Sequence, residues 1–314
     1  MRLVAAPMLL LTLAIAGYFL FPDNLALLTR IIAISLLVLS IDLVTGICGV
    51  ATLGQAAMFG AGAYAAGIGA AHFGITDPLA MTVVGAFGGA LAGLLSGLVM
   101  LRAHGLPQLV LSIAVVHLFH EAANKASRWT GGSDGLTGIT PSPLLGLFDF
   151  DLWGRTAYIY GVFLLLLTFV ALRVIVSSPF GMLCRGIGED ATRIEAMGGD
   201  VRGTMLKMFV IAGFVAGTGG ALGAISTQVV GLDTLSFALS AEALVMLVLG
   251  GAGSLYGALT GTVTFMWLED VISAANPFHW MTIVGALLIA AVLFAPRGLY
   301  GAVEELAARI WGRR

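Results

Sequence analysis

The sequence predicts an all-α, polytopic integral membrane protein, and three observations carry that reading. Its 314 residues are 59% hydrophobic with a mean hydropathy of +1.02, well above the roughly 45–50% apolar share of soluble domains. Only 10% of the residues are charged. The apolar residues fall in runs near the length a membrane-spanning helix needs, about 20 residues, and Gly, Pro or charged residues break them apart.

Taken in order, the runs cover 4–21, 28–45, 56–72, 79–101, 106–123, 156–176, 206–228, 237–250, 255–272 and 279–296. They predict about ten transmembrane helices in one domain, 1–314. The first run begins like a signal peptide, with Arg2, an apolar stretch and Ala14-Ile15-Ala16, but it continues to Phe21 and is long enough to span. In the fourth, Gly85, Gly89, Gly93 and Gly97 recur every fourth residue, which bares one helix face for close approach by another helix. Gly213 and Gly217 do the same in the seventh run. Glycine-rich breaks at 46–55 and 250–255 leave eight full spans plus re-entrant segments as the alternative count.

Basic residues set the orientation, because Lys and Arg in short loops stay in the cytoplasm. Ten spans put 173–207, the tail 297–314 and Arg102 on the same side as Arg2, eleven basic residues against four. Both termini are then cytoplasmic. The 124–155 loop faces out, flanked by Trp129, Trp153, Tyr158 and Tyr160, which suit the headgroup zone. In the tail Glu305 precedes Arg309 by four residues, a pattern for a surface helix at the inner interface.

Several chemistries are excluded. Cys48 and Cys184 form no spaced cluster. His117, His120 and Glu121 lie within one helical turn but lack a further convergent ligand, so no metal site is predicted. They read better as polar residues at the mouth of a pathway. A phosphate-binding loop needs Gly-Lys-Ser/Thr, and the two lysines, Lys125 and Lys207, precede Ala126 and Met208. With no GxSxG or HExxH pattern either, the chain is predicted to have no catalytic residues and no cofactor of its own. The net charge of −2 gives nucleic-acid binding no basis.

An acid within a span is costly unless it meets water or a partner, which singles out Glu121, Glu242 and, at the inner end of the second run, Asp42. The glycine-rich breaks raise the same question for the backbone. Unwound segments are tolerated in a membrane where they are buried or line an aqueous route, so Gly46, Gly49, Thr52 and Gln55, with Gly250, Gly251, Gly253 and Ser254, are candidates for a translocation pathway. Tight turns between hairpin helices are the other reading of both breaks.

The polar interval after the sixth run is the one long charged segment between apolar runs. Ser178-Pro179 suits a helix start and Gly198-Gly199 a helix stop. Ile187, Ala191 and Ile194 fall on one face, and Glu189 stands four residues before Arg193, the favoured order for an intrahelical pair.

Four stretches together resemble the permease subunits of branched-chain amino-acid ABC importers: TGICGVATLGQAAMFGAGAY, TGGSDGLTGI, SSPFGMLCRGIGEDATRIEAMGGDV with FVIAGFVAGTGGALGA, and LSFALSAEALVMLVLGGAGSLYGALTG. They stand in the family's order and cover most of Thr45 to Arg297. The resemblance implies a multi-pass inner-membrane permease paired with a second, related permease. It also implies two cytoplasmic ATPase subunits, which hold the ATP and Mg, and an external solute-binding protein. Arg185, Ile187, Glu189, Ala191, Arg193, Ile194, Glu195, Ala196, Met197 and Gly198 are the expected ATPase-coupling residues, docking an apolar stripe into an ATPase groove. Met182 and Gly188, where the family often has basic residues, and Thr52, where it has Ser, depart from the pattern. Relatives serve urea, amides and aromatic or dicarboxylic compounds as well as Leu, Ile and Val. A stand-alone ion-coupled carrier or channel is the alternative class.

Overall fold

The computed structural model describes residues 2–103, 105–144, 148, 154–275, 282, 285 and 298–301. The expected span at 279–296, apart from residues 282 and 285, and the tail helix around Glu305 and Arg309 lie outside the described residues. Helix α1 runs Arg2–Leu20, and α2, Leu25–Ile41, continues into a π-helical turn, Asp42–Ile47. There follow α3 (Gln55–Phe73), α4 (Pro78–Met100), α5 (Leu106–Lys125) and the short α6 (Ser127–Thr130). The second half holds α7 (Arg155–Ser177), α8 (Pro179–Ala196), α9 (Val201–Thr227), α10 (Phe237–Gly250) and α11 (Leu255–Ala275).

Among the described residues five helices are long and apolar enough to cross a membrane: α2 with its π-turn, α4, α5, α7 and α9. The pair α10 and α11, bent by 114° at the break between them, makes a sixth if it is one span. Two of the expected spans fall outside this number through composition and length. Helix α3 is mostly Ala and Gly, which carry little hydropathy, and α10 has only 14 residues.

Helices α2 and α9 form the middle of the bundle, their spanning windows 78% buried against 28% for α5 and 33% for α7. Glycine makes the inner crossings possible. A Cβ on Gly89 would run into the Gly213 carbonyl of α9, and one on Gly217 would lie 2.8 Å from the Gly89 Cα. On its other flank α9 meets α3, where a Cβ on Gly62 would strike Gly217 and one on Gly220 the Phe59 carbonyl. Without a hydrophobic driving force between helices in lipid, such backbone-to-backbone packing is a main source of cohesion.

Helix ends are closed locally, as a low-dielectric surround requires. Asp77, Ser178, Asp200 and Ser236 accept from the N–H groups of Leu79, Gly181, Gly203 and Leu239, at 3.3, 3.4, 2.9 and 3.1 Å. The long connection after α5 is tied down by reciprocal backbone bonds between Leu136 and Val230, 2.8 and 3.0 Å. His72 and Trp129 pack edge to face beside it.

Candidate functional site

Both glycine-rich breaks lie at the same end of the bundle, and one side chain joins them. Asp42 opens the π-turn of α2 and is wholly buried. Its Oδ1 accepts the backbone N–H of Gly253, 211 residues away, at 2.6 Å. Gly253 can offer that N–H because its backbone sits at φ 86°, next to Gly251 at φ 109°, conformations open to glycine. Gly46 lies directly over the pair, where a Cβ would collide with Asp42 Oδ1 and the Gly253 nitrogen.

Helix α8 packs on the same end. Gly49, at φ 70°, approaches Gly188 so closely that a Cβ would be 2.9 Å from its Cα. One turn earlier on α8, the buried Cys184 meets the buried Cys48. The Cys48 thiol donates to the Cys184 sulfur, and this bond, with burial, pushes the Cys48 thiol up, so it stays protonated at neutral pH.

Next to this junction the N-terminus of α3 is held by hydroxyls from other helices. The Ala56 N–H donates to Ser240 Oγ of α10 at 3.0 Å, and the Leu53 N–H to Ser112 Oγ of α5 at 3.0 Å. Thr52 Oγ1 accepts from the Gly54 N–H at 3.0 Å, and Ser40 Oγ of α2 donates to Gln55 Oε1 at 3.5 Å. All five side chains are buried, and Gln55 Nε2 has no partner among the described residues. Helices α2, α5 and α10 thus meet at one helix start through neutral polar groups. Such a cluster offers hydrogen bonds without a fixed charge. Thr52 and Gln55 were legible as candidates; Ser40, Ser112 and Ser240 were not, since nothing local marks a serine in an apolar helix. Substituting Ala at both Ser112 and Ser240 orphans the buried Ala56 N–H, at about 1–3 kcal/mol, and the part-buried Leu53 N–H, at less. The expected result is a drop in thermal midpoint of the solubilised protein, larger than for either single change.

The other sequence candidates are dispersed. Glu121 pairs with Lys125 at 3.4 Å at the exposed end of α5, and His117 stacks on Phe237. Glu242 is exposed on the flank of α10. Gly250 packs α10 on Gly257 and Gly261 of α11, and Ser254 caps α11 by accepting the Gly257 N–H at 2.9 Å.

Helix α8 begins at Ser178-Pro179, as its sequence predicts, and its end is closed by Gly198 at φ 85° and a Gly199 N–H bond to the Ile194 carbonyl. Two expectations within it are corrected. A kink at Asp190, φ −157° and ψ 95°, splits the helix. Asp190 therefore caps a second segment through the Arg193 N–H (3.0 Å) and takes the Arg193 ion pair (3.9 Å) that Glu189 was expected to make. The apolar stripe is also only partly open to a partner: Ala191 and Ile194 are half-buried. Ile187 is buried, and Ile194 packs on Gly186 and Gly199. The exposed surface of α8 instead carries Met182, Arg185, Glu189, Arg193, Glu195, Ala196 and Met197.

Residues 24–293 match the family described as branched-chain amino acid transport system / permease component. The chain is 26% identical, over 92% of its length, to the high-affinity branched-chain amino acid transport system permease protein LivM of Escherichia coli (strain K12), covering 73% of that protein. It is 25% identical, over 93% of its length, to the protein of the same description from Salmonella typhimurium (strain LT2), again covering 73%. No solved structure matches the chain.

Proposed function

The chain belongs to the family of branched-chain amino acid transport permeases, and from that membership we propose that it is the membrane subunit of an ATP-driven importer for small zwitterionic solutes. Branched-chain amino acids are the first solute class to test, in keeping with the relatives' descriptions. The chain works beside a second permease, with two ATPase subunits on the inner side and a solute-binding protein on the outer. ATP and Mg are held by the ATPases.

One observation carries this reading. The long polar insertion of the bundle folds as a helix, α8, that exposes methionines and mixed charges while its buried face rests on residues 47–49, at the start of the first glycine-rich break. A surface helix so placed can pass force from an aqueous partner to the unwound segments. In this scheme closure of the ATPase pair shifts α8, and the α3 start trades its Ser112 and Ser240 hydrogen bonds for others as the route opens. Proteoliposomes holding the whole complex should accumulate labelled leucine only with ATP and binding protein; ATP-independent uptake by this chain alone would overturn the proposal.

The topology we infer has ten spans with both termini cytoplasmic, in agreement with the distribution of Lys and Arg. Ser133 and Thr192 are both exposed, and Cys48 and Cys184 are buried, so introduced cysteines can be read without background. An impermeant maleimide added to whole cells is expected to label Ser133→Cys and to spare Thr192→Cys. The reverse pattern would invert the orientation.

A further inference from the structure

We propose that the cavity lined by Arg30 and Asp233 is a binding site for a small zwitterion with an apolar side chain, an α-amino acid of the leucine class. The inference rests on the importer reading and adds to it the place where the solute is held. The cavity, of about 380 Å³, lies between α2, α3, the C-terminal end of α9, the 3-10 turn Leu232–Leu235 and the start of α10. That is the size of a small-molecule site. It stands at the end of the bundle opposite α8, since α9 starts directly after α8 and the π-turn of α2 leads into the segment that packs on it.

The lining matches a zwitterion group by group. Arg30, near the start of α2, brings a fixed positive charge with N–H donors in the geometry that grips a carboxylate, and Asp233 brings an acceptor for an ammonium. Both residues are exposed, and among the described residues neither makes an ion pair. A cation in a spanning helix is costly unless it meets water or a partner; an open cavity admits the water, and a bound carboxylate completes the pairing. The carboxylate of Asp233 has room made for it, because a Cβ on Gly231 would collide with its Oδ1. Beside it the Thr234 hydroxyl donates to the Gly231 carbonyl at 2.8 Å, which leaves its oxygen lone pairs to accept from an ammonium. Ile34, Phe59 and Leu239 give the same cavity an apolar wall for an aliphatic side chain. A lipid phosphate would satisfy Arg30 alone and would leave Asp233 without a use.

The cavity also leads inward. Phe59 stands one turn past Gln55 on α3, and Leu239 is next to Ser240, whose hydroxyl accepts the Ala56 N–H at 3.0 Å. A solute held between Arg30 and Asp233 therefore lies next to the neutral polar junction at the α3 start.

The test reads occupancy directly. Val229 lines the cavity and is 46% exposed, while Cys48 and Cys184 are buried. Val229→Cys in the assembled importer, held in nanodiscs, thus offers the permease chain one accessible thiol for a neutral maleimide. Saturating leucine is expected to slow its labelling about tenfold. Leucinamide, which lacks the carboxylate, and isocaproate, which lacks the ammonium, should protect little. Added to the same protein, Arg30→Gln and Asp233→Asn should each raise the leucine concentration for half-protection about tenfold or more, and Arg30→Lys should lose less than Arg30→Gln. Protection by leucinamide equal to that by leucine, or half-protection at the wild-type concentration in either charge variant, overturns the site. Equal protection by isocaproate overturns it too, leaving Arg30 as a plain anion site. If a charge variant does not assemble, the three compounds on Val229→Cys alone decide. Uptake separates this inference from the reading it rests on: ATP-driven leucine uptake without protection removes the site and keeps the importer, and protection with ATP-independent uptake keeps the site and removes the importer.

Discussion

Replacing Gly217 with leucine is expected to leave almost no folded protein to purify. Gly217 sits where α3, α4 and α9 come together, with Gly89 and the Gly85 carbonyl on one side and Gly62 on the other. The atoms a side chain would meet are backbone, so no rotamer change makes room, and the helices themselves must part. Overpacking a tight site usually costs about 1–3 kcal/mol, and an obstruction that meets only backbone belongs at or above the top of that range. Total stability is only about 5–15 kcal/mol, so prising α9 away from α4 removes enough packing to decide whether the bundle holds. Gly223→Ala, six residues along the same helix, is the control: its Cβ would touch only the tip of Phe59 at 3.8 Å, and alanine is the better helix former. Size-exclusion profiles and thermal midpoints in detergent check both. A monodisperse Gly217→Leu protein with a wild-type midpoint would dismiss the seam as a source of stability.

The contrast between those two glycines shows what the sequence made legible. A repeat of four residues marks a bare helix face wherever it occurs, so Gly85, Gly89, Gly93 and Gly97 could be grouped before their partner was known. Helix punctuation was equally local: Ser178-Pro179 and Gly198-Gly199 bound α8 because a cap and a left-handed residue act on their own neighbours. Spacing could not say which neighbour covers an amphipathic face. The stripe of Ile187, Ala191 and Ile194 has helical period whether it meets a partner or its own chain, and the kink at Asp190 is a tertiary outcome. Asp42 was legible as an intramembrane acid, but its partner at Gly253 depends on two breaks closing on one another. Ser112 and Ser240 gave no signal at all, since each matters only through a backbone N–H in a distant segment.

The partial burial of that stripe changes which residue of α8 should matter to an ATPase, and the expected consequence is a sharp difference between two substitutions. Met197 is 78% exposed just past the last turn of α8, held out by the left-handed Gly198 behind it. An unbranched, polarizable side chain of this kind adapts well to a partner's groove, and buried anchors of an interface commonly cost about 2 kcal/mol or more when removed, about 30-fold in affinity. Met197→Glu places a charge where the ATPase would grip and touches nothing inside the permease. Folded permease should therefore be recovered in normal yield while ATPase co-purification and ATP-driven leucine uptake fall tenfold or more. Ile194→Asp is expected to behave differently, because Ile194 packs against Gly186 and Gly199: it should unfold α8 locally, lower the thermal midpoint and release the ATPase as a result. If Met197→Glu retains full co-purification and uptake, the end of α8 is not where the ATPase grips, and the remaining exposed surface around Arg185 and Glu189 is left to hold it.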